Sequence, residues 1–337
     1  MILIDAIYTH QTGGKVLLDY LVSELEKTDV NVFYLFDDRI SKNAYQIKKT
    51  NKILFEKSSF FKRFNFYRKN RSTFTKIFCF GNVPPPIKLE ATVYTFFHHR
   101  IYLEIPKELP FKTTCGYIAK TMIIKFLKRN TDYWIVQNSN IKVKLHEKYN
   151  IKDSQIMNLP FYPPISGNKS SERNNFGYIY VSHPFLHKNH LRLIDAFCEF
   201  YDAEKKGELI LTVDQSFQEL YKYIEDKIAS NYPIRNIGFI KRSELYKYYT
   251  ANRYLIFPSL SESFGLGIIE ALDCGCDIIG ADLPYLYEVC EPSVIFDPNS
   301  TQAIKEAFVK SIDFQSVKKS IPKVNDKIKT VIELLTK

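Results

Sequence analysis

The sequence predicts an α/β protein of two doubly wound parallel-sheet domains, and three observations carry that expectation. The chain has 337 residues, more than one ordinary core fills and about right for two domains of roughly 150 residues each. Short β-rich runs alternate with stretches of helical period almost throughout, the rhythm of a parallel sheet covered on both faces. Near mid-chain the polar stretch YPPISGNKSSERNN, residues 162–175, breaks that rhythm and reads as a linker.

The first domain, residues 1–161, opens on the strand MILIDAI, passes through a helix from about Lys15, and continues with strands VNVFYLF, KIFCFG, TVYTFF and YWIVQ. The second, residues 176–320, restarts the alternation with strand FGYIYVS, helix HLRLIDAFCEFY, strand LILTV, a helix around Glu219 to Ala229, strand NIGFI, helix SELYKYYT and strand YLIFPS. The remaining residues, 321–337, contain VNDKIKTVIELLTK, whose apolar spacing is helical and which is expected to pack back across the domain junction.

Composition narrows the function. Hydrophobic residues at 45% and charged residues at 25% exclude disorder and a fibrous repeat. The six cysteines form neither paired CxxC spacing nor a dense disulfide framework, so a reduced, cytoplasmic compartment is expected. The N-terminus lacks a basic n-region, and no stretch approaches the roughly 20 apolar residues of a membrane span. A formal charge of +10 asks for an acidic partner: nucleic acid, a phosphorylated ligand or an anionic membrane surface.

The most informative stretch is ESFGLGIIE, residues 262–270. It follows strand YLIFPS, and ligands of open parallel sheets sit beyond the carboxyl ends of strands, which puts Glu262 and Gly265 at a crevice edge. A helix starting at Gly265 offers free amides and partial positive charge to an anion. Glu270 then lies about two turns away, at about 1.5 Å per residue, a separation near that between the sugar and the ribose of a nucleotide-sugar. A carboxylate accepts two hydrogen bonds from a vicinal diol, which suits both ends. The dinucleotide fingerprint is excluded, because Glu270 occupies the place of its third glycine.

The whole run FPSLSESFGLGIIEALDCGCDIIGADLPYLYEVC, continuing to VIFDP, resembles the nucleotide-sugar-binding signature of family 4 glycosyltransferases. The resemblance implies the GT-B fold, two Rossmann-like domains facing across a cleft, and retaining transfer of a sugar from a nucleoside-diphosphate donor. It assigns Glu262 to the donor-sugar hydroxyls, Glu270 to the ribose, Phe264, Gly265 and Leu266 to donor binding, and backbone near Phe239 and Ile240 to the base. In YIYVSHPFLHKNHLRLIDAF, Lys188 matches the diphosphate-binding lysine, while His183 stands where the family carries an arginine. In THQTGGKVLLDYL, Gly13 and Gly14 match a glycine-rich turn facing the donor. In TVYTFFHHRIYLEI, His98 aligns with a histidine facing the donor sugar and His99 lies on the acceptor side.

These assignments make Lys188, Glu262 and His98 the candidate catalytic residues of a hexosyltransferase. Departure of the nucleotide builds charge on the diphosphate, which Lys188 and the amides near Gly265 would stabilise. No metal or other cofactor is expected, since no Asp-X-Asp occurs; a rival reading gives a metal to His183, His187 and His190. The expected acceptor is a saccharide, lipid-linked as in O-antigen or capsule synthesis, met at the inner face of the cytoplasmic membrane. The segment FEKSSFFKRFNFYRKNRSTFTK, residues 55–76, interleaves aromatic rings with Lys62, Arg63, Arg68 and Lys69 and is either a core helix with a solvated basic side or a peripheral contact with an anionic membrane. Nucleic acid could use the same composition, but no recognised motif supports it. A GT-B epimerase or phosphorylase, or a non-enzymatic nucleic-acid module, are the competing functions.

Overall fold

The computed structural model describes residues 1–106, 109–170, 172–313 and 317–337, so Ser171 of the expected linker lies outside the described residues. The chain divides into two compact units, Met1–Pro163 with Asn325–Lys337, and Pro164–Val324.

In the first unit the order is β1 (Ile2–Ala6), α1 (Thr12–Leu25), β2 (Val32–Asp37), β3 (Lys52–Glu56), α2 (Phe60–Lys69), β4 (Lys76–Cys79), β5 (Thr92–Phe96), α3 (Phe111–Leu127), β6 (Tyr133–Val136), α4 (Ser139–Tyr149) and β7 (Ile156–Asn158). The strands form one parallel sheet in the order β3-β2-β1-β4-β5-β6-β7. Every residue of β1 is buried, as expected of a central parallel strand covered on both faces. The chain runs outward on one side of β1 and returns on the other through β4, so the carboxyl ends of β1 and β4 make a topological switch point.

The second unit repeats the plan with β8 (Asn174–Tyr180), α5 (His190–Glu204), β9 (Glu208–Leu211), α6 (Gln218–Ala229), β10 (Ile234–Asn236), α7 (Arg242–Ala251), β11 (Asn252–Phe257), α8 (Leu266–Asp273), β12 (Asp277–Ala281), α9 (Pro284–Val289), β13 (Cys290–Glu291), β14 (Val294–Phe296), α10 (Thr301–Ser311) and β15 (Ile321–Pro322). Six parallel strands lie in the order β10-β9-β8-β11-β12-β14, and β13 pairs with β15 in a separate antiparallel ribbon. Its switch point lies at the carboxyl ends of β8 and β11.

Helix α11 (Ile328–Thr336) returns the chain to the first unit, where it packs on α1 and β4 through buried Ile328, Val331 and Leu335. Burial of each such side chain is worth about 1.5–3 kcal/mol. Two polar ties fix its start: Lys327 N donates to Pro160 O at 2.8 Å, and Tyr20 OH donates to Asp326 at 2.7 Å.

The expected strand NIGFI is corrected. Pairing covers only Ile234–Asn236, because Gly238 takes φ +69° and turns the chain out of the sheet, leaving Phe239 and Ile240 in a loop. Strand β3 and helix α3 carry no clear sequence period. β3 is an edge strand exposed over Lys52–Leu54, and α3 bears apolar residues on its solvent face as well as its buried one.

Candidate functional site

The switch point of the second unit gathers the charged candidates. The loop after β8 and the loop after β11 are joined where Leu260 N donates to His187 O at 2.7 Å. Asn189 adds a second tie, its Nδ2 donating to Pro298 O at 2.7 Å and to Pro258 O at 3.3 Å. Its backbone is left-handed, φ +61°, a conformation asparagine tolerates better than most residues. Tyr180 OH donates to Lys188 O at 2.9 Å. So held, Lys188 Nζ lies 2.5 Å from Glu262 Oε1, and the two side chains retain only 17% and 13% of their exposure. The family resemblance implies different partners for them, sugar and diphosphate; in the structure they are partners of each other. An ammonium carries three donors, so Lys188 keeps donors beyond the one that Glu262 accepts.

Phe264 is buried, and Gly265 precedes α8 in the left-handed region at φ +81°, where a Cβ would also stand 3.0 Å from Ile268 Cδ1. Glycine is therefore required there. Leu266 and Gly267 open the helix, whose first amides lack intrahelical acceptors. Glu270, one of the buried residues of α8, pairs with Arg242 at the start of α7, Oε1 to Nε at 2.7 Å. Burial pushes its carboxyl up and the guanidinium opposes that shift. Arg242 was missed by sequence reasoning; the available signal was that a carboxylate on the inner face of a short helix needs a cation.

His183 is exposed beside a group of rings, with centroids 5.9 Å from Phe185 and 6.5 Å from both Phe217 and Phe239. Phe239 is 65% exposed and presents an open aromatic face, with Ile240 next to it at intermediate exposure. His190 instead lies in the core against Tyr180, with its Nε2 unpartnered and its ring pushed down to about 3 by burial. Among the described residues, no group of three or more His, Cys, Asp or Glu is placed to hold a metal ion.

In the first unit the expected turn glycines are helical. Gly13 and Gly14 lie in the first turn of α1, and the left-handed residue of that turn is Thr12, φ +61°. Gly14 has another use: a Cβ there would stand 3.2 Å from His98 Nε2, so its absence lets the imidazole approach the helix start. His98 stacks on Phe96 at 4.9 Å, its Nδ1 is buried without a partner, and burial lowers its pKa to about 3, with His99 adding to the shift. It is a neutral ring. His99 is exposed. Both backbone amides donate to Asn82 Oδ1, at 2.7 and 2.9 Å, which fixes the turn after β5 and was not foreseen.

Arg63 is a correction. The sequence reading expects it on an exposed basic side with Lys62, Arg68 and Lys69, solvated or membrane-facing, but it is 1% exposed. Its Nε donates to Asp5 at 2.7 Å, and its Nη atoms donate to Pro84 O at 2.7 Å and Val83 O at 2.9 Å. Tyr67 OH donates to the same carboxylate at 2.6 Å. The physical reason is the position of Asp5 inside β1: a buried carboxylate must be neutralised, and Arg63 is the cation of α2 that faces it. Lys62, Arg68 and Lys69 are exposed, and Lys62 pairs with Glu56 at 2.6 Å.

Chemically, the second switch point offers a poised cation beside a carboxylate, free helix amides and a second charge pair. The first offers a neutral imidazole and backbone groups on a sealed ionic base. Residues 166–321, all within the second unit, match the family model described as glycosyl transferases group 1. The chain is 33% identical over 84 residues to O-antigen chain mannosyltransferase B of Escherichia coli, covering 25% of this chain and 22% of that protein. It is 30% identical over 155 residues to alpha-monoglucosyldiacylglycerol synthase of Acholeplasma laidlawii, covering 45% of this chain and 37% of that one. These matches thus span well under half the length of either relative. Sucrose-phosphate synthase from Thermosynechococcus elongatus superposes with a TM-score of 0.72 at 14% identity, covering 99% of this chain and 94% of that one. The two parallel-sheet domains have the GT-B glycosyltransferase fold.

Proposed function

We propose that the protein is a retaining, metal-independent glycosyltransferase that moves a hexose from a nucleoside-diphosphate-sugar to a hydroxyl of a saccharide acceptor. The observation that carries this reading is the Lys188–Glu262 pair at the carboxyl edge of β8 and β11, next to the open amides of α8. Lys188, oriented by Glu262, neutralises charge gathering on the leaving diphosphate, and the amides of Leu266 and Gly267 share it. The second Glu262 oxygen accepts from donor-sugar hydroxyls. Glu270, held by Arg242, accepts from the ribose diol, and the backbone near Phe239 and Ile240 meets the base, with the Phe239 ring available to stack. In the first unit, neutral His98 and Gly13 and Gly14 at the start of α1 are our candidates for the donor sugar, and His99 for the acceptor.

In the reaction, the bond from the anomeric carbon to the diphosphate oxygen breaks, and the acceptor oxygen bonds to the same face of that carbon. The acceptor's proton passes to the leaving phosphate oxygen. The mannosyltransferase and glucosyldiacylglycerol synthase matches support a lipid-linked or lipid-embedded acceptor in cell-surface glycan synthesis; we propose that it is met at the inner face of the cytoplasmic membrane.

A panel of nucleotide-sugars, read by thermal unfolding and then by product analysis, tests the reading. One donor at about a hundred times its dissociation constant should stabilise the chain by about 2.7 kcal/mol. The product should keep the donor's anomeric configuration, with turnover unaffected by chelator. An inverted product or a strict need for a divalent ion would contradict the mechanism. Donor consumption without acceptor would favour an epimerase.

A further inference from the structure

Helix α3 presents a solvent face unlike that of any other helix in the first unit. Its inward positions, Tyr117, Thr121, Ile124 and Leu127, follow helical spacing, and Ile124 joins the core cluster around Trp134 and Tyr149. The opposite face repeats the same spacing with apolar residues: Phe111 is 82% exposed, Ile118 41%, Met122 65% and Phe126 66%. A soluble helix puts polar residues there. Lys112, Lys120, Lys125 and Arg129 accompany this stripe, and no Asp or Glu occurs from Phe111 to Thr131. At the C-terminal end, Phe126 and Arg129 join Lys88, Pro86 and Ile87 around a shallow depression.

We infer that α3 is a membrane-docking helix: it lies in the plane of an anionic bilayer, with the Phe111–Phe126 stripe at the headgroup boundary and its basic residues on acidic headgroups. Charge complementarity selects this occupant. Basic residues without an acidic counterpart beside an apolar stripe suit an anionic bilayer, because each basic residue near such a surface adds to binding and aromatic or long apolar side chains enter the boundary. Helix α2 is a weaker candidate, because Arg63 is sealed against Asp5 and Lys62 is already paired with Glu56. The inference deepens the proposed use of a lipid-linked acceptor, but it concerns binding alone and needs no turnover.

The full chain would be co-sedimented with phosphatidylglycerol–phosphatidylcholine vesicles and with phosphatidylcholine vesicles, at low and high salt. Wild type should bind the anionic vesicles in a salt-dependent way. Phe111→Ser, Met122→Ser and Phe126→Ser combined should lower partitioning at least tenfold, and each of Lys112→Ser, Lys120→Ser and Lys125→Ser about fivefold. Because the altered side chains are exposed, the thermal midpoint and the donor-induced shift should stay unchanged. As a check that does not depend on loss of binding, a Phe126→Trp chain should be quenched by brominated phosphatidylglycerol, while Trp134 is buried in the core. Failure of wild type to bind anionic vesicles at low salt would overturn the inference, as would wild-type partitioning by the apolar variant. So would loss of binding on Lys62→Ser, Arg68→Ser and Lys69→Ser with α3 variants unaffected. A dimer in light scattering, converted to monomer by the apolar variant without any vesicle binding, would assign the stripe to a second copy instead. A donor-induced shift in a chain that ignores vesicles would leave the transferase reading standing.

Discussion

The two switch points share a topology and differ in how they handle charge. In the first unit the ion pair, Arg63–Asp5, is sealed inside, both side chains 1% exposed, and the turn after β5 carries a neutral imidazole. In the second, the pair Lys188–Glu262 is itself at the site and keeps 17% and 13% of its exposure. A sealed pair serves the fold: it locks the loop at Val83 and Pro84, next to the Asn82 that fixes the His98 turn. A partly open pair can trade partners with a ligand, because water and an incoming phosphate can replace what each ion loses. The same placement on an α/β sheet therefore supports a structural cation in one unit and, in the other, the cation we propose for the donor diphosphate.

The largest effect should come from breaking the sealed pair. Arg63→Ala leaves Asp5 buried and unneutralised, and should cost about 3–5 kcal/mol of stability by urea unfolding. A loss under about 1 kcal/mol would show that water reaches the site and that the contrast is false. Lys188→Ala should behave oppositely, with little change in the urea midpoint and a loss of about 2–4 kcal/mol in kcat/KM for the donor. Equal losses of stability in both variants would erase the distinction.

The smallest effect concerns one buried histidine in each unit. His98 and His190 are both pushed down to about 3 by burial, against an ordinary value of 6.5. Between those values the unfolded chain binds protons that the folded chain refuses, so stability is full above pH 6.5 and falls as the pH drops toward 3. Each ring accounts for at most about 1.4 kcal/mol per pH unit in that window. Urea midpoints measured from pH 7 to pH 5 should fall, and a His190→Phe chain should fall less steeply; an unchanged slope in that variant would mean that the ring is not desolvated.

Much of the architecture was legible in the residues alone. Runs such as MILIDAI and YLIFPS are apolar at nearly every position because central parallel strands are buried on both faces, and the alternation with helical period then dictates a crossover sheet. ESFGLGIIE stood out as a candidate site because its glycines, carboxylates and helix start lie close in sequence. Where sequence reasoning failed, the deciding interaction was long-range. Nothing local distinguishes Arg63 from Lys62 or Arg68; burial followed from Asp5, 58 positions away. Arg242 was invisible for the same reason, 28 positions from Glu270, and Lys188 and Glu262 became one unit only when two loops 74 positions apart met. NIGFI looked like a strand until Gly238 turned it away, and α3 lost its helical signature because a second apolar face hid the period. The sequence by itself determined most of the strands and helices and singled out the short motif proposed for the donor, since both follow from the pattern of neighbours along the chain. Which charge is sealed and which is offered was decided by the tertiary structure, because the cost of a buried ion depends on partners that only folding brings within about 3 Å.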